Sequence, residues 1–213
     1  MNDWIVSSIA AAQRSTGFMA WNTFLAVVPM VASLWLFRRP RAARRRLDWW
    51  VGLIVFVAFL PNAPYVLTDI IHFIRFIREG ATLGTVVFVL VPQYLIFMLI
   101  GIEAYTISLI NMGHYLRQQG WRNQVSAAEL LLHALCAIGI YLGRFPRFNS
   151  WDLITDPINL LRYVAQMVRQ PQSLAVIVLT FGVIAMLYWP LKHISLALAL
   201  YWRYIPVQQD TNN

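Results

Sequence analysis

The sequence predicts an all-α fold, a polytopic bundle of about five membrane-spanning helices with interfacial helices beside it. Three observations predict it. Hydrophobic residues make up 59% of the 213 and charged residues only 12%, about half the charged share of a soluble domain. Five runs are long and apolar enough to cross a hydrocarbon layer of about 30 Å, which takes roughly 20 helical residues. The arginines lie beside those runs, none of them deep within one.

Taken in order, residues 17–37 carry no charge, and residues 49–67 carry none either, although Pro61, Asn62 and Pro64 interrupt them. Residues 81–110 are long enough to cross with a tilt and hold one acid, Glu103. Residues 125–142 form the shortest run and contain Glu129 and His133. Residues 173–191 are uncharged, and beyond Lys192 and His193 the apolar pattern resumes to Trp202, leaving room for a bend at Pro190 and a sixth short segment. Ahead of the first span, residues 5–12 are apolar but short, and Arg14 follows them where a signal peptide would carry its charge in front. They are read as an interfacial helix. Asp156 and Pro157 suit an N-cap and a first helical position, and residues 157–169 place Asn159, Arg162, Gln166 and Arg169 in one polar stripe, the pattern of a helix lying flat on the outer surface. The chain is expected to form a single integral membrane domain.

Seventeen cations against nine acids give a net charge of +8, with Lys192 the only lysine. Such a balance in a soluble chain suggests nucleic acid; in this one it serves topology first. Arg38, Arg39, Arg41, Arg44, Arg45 and Arg46 crowd the short loop between the first two spans. Short arginine-rich loops stay cytoplasmic, so five spans place the N-terminus outside and the C-terminus inside the cytoplasmic membrane. An anionic-lipid patch is the rival reading of that loop. Lipid is the expected partner, not nucleic acid. Cys136 is a lone thiol within an apolar run, which excludes a disulfide framework, and no cofactor is implied.

Two segments carry more polarity than anchoring needs. In the first, Pro61 and Pro64 lack N–H groups and withdraw the usual partners of the Val57 and Leu60 carbonyls, while Asn62 can supply donors of its own. Broken backbone at membrane depth survives only when buried in protein or lining a watery cavity. One turn on, Asp69 and His72 share a helical face. The second segment follows the fourth span and packs Arg144, Arg147, Asn149 and Asp152 into nine residues. Gly143 suits a helix terminator there, and Arg144 a helix C-terminus. Each segment follows an even-numbered span, so both lie on the same membrane face. A composite site of Asn62, Asp69, His72, Arg144, Arg147, Asn149 and Asp152 is therefore topologically allowed.

The stretches LPNAPYVLTDIIHF at 60–73 and GIYLGRFPRFNSWDLITDP at 139–157, with WNTFLAVVP at 21–29, resemble the membrane-protein family called domain of unknown function 1361. The resemblance covers most of the chain and implies a multi-pass membrane protein. It carries over no activity, substrate or cofactor. The region before Trp21 is short for the additional N-terminal span of longer relatives.

Three function classes stay open. Arg144 and Arg147 offer planar forks to anionic oxygens, which suits an anionic lipid headgroup or small anionic solute, with an internal ion pair to Asp69 or Asp152 as the plainer account. The alternative is an accessory or assembly subunit of a larger membrane complex, with the nine Trp and the flat helix as partner surface. The third is a membrane enzyme with Asp69 and His72 as an acid/base pair, or with Asp152 as metal ligands; no zinc or nucleophile motif supports it, and no metal is expected. Toward the opposite face, Glu103 and His133 fall at similar depth and are expected to form an intramembrane polar pair between neighbouring helices.

Overall fold

A computed structural model describes residues 2–38, 47–149, 151–167 and 169–210, with side chains for 12–38, 47–149, 151–152, 155–167 and 169–202. Arg39, Arg41, Arg44, Arg45 and Arg46 lie outside the described residues. Five stretches are long and apolar enough to cross a membrane: Ala12–Phe37, Leu47–Arg78, Leu83–Gln118, Arg122–Arg144 and Pro171–Trp202. The described residues form helices and turns, with no strand.

The first helix, α1 (Asn2–Phe37), is continuous, so the expected separate interfacial helix at 5–12 is part of the first long helix. No breaker stands between the two segments, and Ser15 and Thr16 donate back to the Ala12 carbonyl at 3.0 and 2.7 Å, an arrangement that helices tolerate. The second crossing is α2 (Leu47–Phe59), α3 (Asn62–Tyr65), a 3-10 turn (Val66–Asp69) and α4 (Ile70–Arg78). It extends beyond the expected 49–67 because the prolines tighten the helix without ending it. Ala63 N–H reaches the Leu60 carbonyl at 3.2 Å, Tyr65 N–H reaches Pro61 at 3.1 Å, and Asn62 Nδ2 donates to the Phe59 carbonyl at 3.0 Å. The Leu60 carbonyl freed by Pro64 thus regains a local partner, as a low-dielectric surrounding requires.

The third crossing consists of α5 (Leu83–Thr85), a π turn (Val86–Leu90) and α6 (Val91–Gln118). Pro92 withdraws a donor from the Phe88 carbonyl, and the wider turn absorbs the mismatch. The fourth is α7 (Val125–Arg144). After α8 (Asp152–Thr155) and α9 (Pro157–Met167), the fifth is α10 (Pro171–Asp210). α10 stays helical through Pro190, so the sixth segment allowed by the sequence belongs to the same helix, and Arg169, the expected end of α9, lies in a turn.

At the centre lies α6, against α1, α3, α7 and α10; α1 also packs on α2, and α10 on α7. Glycines set two of these approaches. A methyl at Gly101 would collide with Val66 Cγ2 and sit 2.8 Å from the Ala63 carbonyl oxygen, so the broken turn of the second crossing lies directly on α6. A methyl at Gly139 would sit 2.8 Å from both Cβ and Cγ of Pro61. Four residues on, Gly143 faces the Tyr65 ring and lies inside α7, where the sequence suggested a terminator. The small-xxx-small face of α7 therefore receives the proline turn, and the two polar segments of the sequence become neighbours. The outward surface carries Leu99, Leu131, Val178, Leu179, Met186 and Trp189 among other exposed apolar side chains, as lipid contact demands.

Candidate functional site

The broken turn delivers Asp69 into the bundle, where the residue is 1% exposed. Burying a carboxylate costs several kcal/mol unless partners replace its water, and three other elements contribute them. Asn22 on α1 donates its Nδ2 to Asp69 Oδ2 at 2.8 Å. Arg144 Nη1, at the end of α7, stands 3.6 Å from Oδ1. His72 Nδ1 on α4 approaches the same oxygen at 3.5 Å without completing a hydrogen bond. The His72 ring stacks on Phe18 of α1, with centroids 4.8 Å apart, and the buried Tyr94 hydroxyl on α6 also has no hydrogen-bond partner. Asp69 is thus enclosed. It can act on a ligand only through the side chains it holds.

Asp69, His72 and Arg144 come together; the other members of the expected composite site do not join them. Asp152 accepts from the Asn149 N–H at 2.6 Å and from Thr155 Oγ1 at 3.3 Å, so it closes its own loop at the start of α8. That geometry removes the one-His, two-carboxylate metal arrangement, and among the described residues no group of three or more His, Cys, Asp or Glu is placed to hold a metal. Arg147 is exposed and holds a left-handed backbone, φ 62, which turns the chain so that Phe148 N–H reaches the Leu142 carbonyl at 3.1 Å and caps the end of α7. Asn22 was not among the expected residues. Its signal was present in the sequence, since an amide in an otherwise apolar span is expensive unless it has a partner.

Beside this cluster is a groove of about 790 Å³ between α1, α2, α3 and α7. Its walls are apolar: Leu25, Leu53, Ile54, Val57, Leu135 and Ile138 all line it. From Trp50 to Phe59, both lining residues, the helical rise gives a length of roughly 14 Å. Polarity collects at one end, where Asn22, Asn62, Tyr65 and Asn149 line the groove with Trp21 and Trp151, and Leu160 of α9 closes over it. Phe148 packs edge-on against Tyr163 of α9, with centroids 5.8 Å apart, which holds the amphipathic helix over that end. Asn22 belongs to both features, facing the groove and holding Asp69.

The expected pair of Glu103 and His133 is replaced by three separate contacts. His133 Nδ1 and the Tyr105 hydroxyl are 2.6 Å apart, Glu103 accepts from Ser195 Oγ, and Lys192 Nζ meets both oxygens of Glu129 at 2.6 and 2.8 Å. The reason is azimuth. Glu103 and Tyr105 are two residues apart on α6 and so face opposite ways, one toward α10 and the other toward α7; matching depth alone does not bring side chains together. Glu129 is 7% exposed.

Residues 21–187 fit the model of a protein family of unknown function, DUF1361. The chain belongs to that family. The DUF1361 match begins at Trp21, beside Asn22, and runs through both polar segments to α10. No curated protein and no solved structure matches the chain.

Proposed function

We propose that this DUF1361 protein binds an anionic amphiphile from the outer leaflet of the cytoplasmic membrane, with an acyl or isoprenoid chain in the groove and the anionic group at Arg144 and Arg147. The observation that carries this reading is the apolar groove whose polar end is lined by Gly143 and Phe148, the chain neighbours of Arg144 and Arg147. Ile54, Val57 and Leu135 are exposed toward the bilayer and line the groove, so a chain enters sideways from lipid and needs no passage through water. Arg144 is engaged by Asp69 only at 3.6 Å, which leaves its fork able to take a phosphate or carboxylate oxygen. Arg147 extends from an exposed turn of the same loop.

The test is native mass spectrometry of the full chain in mild detergent, titrated with phosphatidic acid. Wild type retains the lipid, and Arg147→Gly weakens retention roughly tenfold, equivalent to about 1.4 kcal/mol. Glycine accepts φ 62 without strain, so this variant removes the guanidinium and keeps the cap of α7. Unchanged retention in Arg147→Gly refutes the role of that arginine; a wild type that holds no anionic lipid refutes the function.

A further inference from the structure

Resting on that reading, we infer that the amphiphile carries a hydroxyl-bearing headgroup, a polyol or sugar, joined to its chain through the phosphate. The orientation of Asn22 supports this. Its Nδ2 gives one of its two hydrogens to Asp69, a carboxylate that only accepts, so the second N–H and the carboxamide oxygen are left for another partner. A carboxamide that both donates and accepts is matched by a hydroxyl, which does the same, better than by a phosphate oxygen, which only accepts. The phosphate therefore belongs at Arg144 and Arg147, and a hydroxyl belongs at Asn22. An ammonium headgroup would seek the carboxylate itself, but Asp69 is 1% exposed behind Asn22, His72 and Arg144.

The remaining lining suits the same class. Among the described residues, no charged side chain lines the groove. Its polar end offers Asn149, whose carboxamide type both donates and accepts as hydroxyls do, and the aromatic surfaces of Trp21, Tyr65 and Trp151, against which the C–H face of a ring or polyol packs. Trp21 and Trp151 are 56% and 49% exposed, more than an apolar anchor within the bundle would be.

The experiment compares four lipids with identical acyl chains on the full chain in detergent, by native mass spectrometry: phosphatidic acid, phosphatidylglycerol, phosphatidylinositol and phosphatidylethanolamine. Phosphatidylinositol and phosphatidylglycerol are expected to be retained roughly tenfold more tightly than phosphatidic acid. Trp21→Leu and Asn149→Ala, both at exposed positions and so compatible with folding, should erase that advantage, read as the ratio of phosphatidylinositol to phosphatidic acid retention within each variant. Equal retention of all three anionic lipids overturns the inference and leaves the proposed function standing, whereas a preference for phosphatidylethanolamine overturns both. Retention of none overturns both.

Discussion

Replacing Gly139 by Ala tests whether the two polar segments of the sequence form one packed unit. The added methyl lies 2.8 Å from Cβ and from Cγ of Pro61. Carbon atoms rest at about 3.5–4.0 Å, so α7 and the broken turn must separate by roughly 1 Å, and a proline ring has no rotamer by which to yield. Overpacking of this kind costs about 1–3 kcal/mol, offset by the roughly 1 kcal/mol that Ala gains over Gly in a helix, for a net loss of about 0–2 kcal/mol. Gly182→Ala is the internal control. Nothing lies within 4 Å of a methyl there, so it should gain up to about 1 kcal/mol from propensity alone. The measurement is reversible unfolding in mixed micelles followed by circular dichroism, and the two variants should shift in opposite directions or differ by roughly 1–3 kcal/mol. Pro61→Gly in the Gly139→Ala background removes the collision, so the double-mutant cycle should show favourable coupling. If Gly139→Ala proves as stable as Gly182→Ala, the turn does not rest on α7 and the groove between them lacks its floor.

Lys192→Met should destabilise the protein by about 3 kcal/mol or more, because it leaves the Glu129 carboxylate buried with its main partner gone, whereas Lys192→Met with Glu129→Gln should recover much of that loss in the same unfolding assay. Tyr105→Phe removes the hydroxyl held 2.6 Å from His133 Nδ1 and should cost about 1–3 kcal/mol; a neutral result would mean that the ring nitrogen finds another partner. Arg75→Ala breaks a 2.8 Å contact with Glu79 between two exposed side chains and should change stability by less than about 0.5 kcal/mol. Asn22→Leu should destabilise more than Asn149→Ala, since only Asn22 satisfies a buried carboxylate; equal melting temperatures would contradict that difference.

Properties that depend on neighbours along the chain are legible in the sequence. Hydrophobic length yields five spans, prolines mark the broken turn, and the parity of the spans places Asp69 and Arg144 on one face. Element ends are less legible, because a helix supported by tertiary contacts runs past the point where local pattern weakens, as α1 and α10 do. Asn62 can be assigned a capping role from the missing proline donors, although it caps Phe59 and not the Val57 or Leu60 carbonyl.

By itself, then, the sequence determined an all-helical membrane bundle and the set of polar residues that must find partners within it. Tertiary structure decided which partners they find: Asn22 with Asp69, Lys192 with Glu129, Tyr105 with His133, and Pro61 against Gly139. The physical reason is that depth follows from counting residues at a fixed rise, whereas a side chain's partner depends on the rotation of its helix and on which helix lies beside it. Those quantities are set by packing across the whole bundle, and no local stretch of sequence contains them.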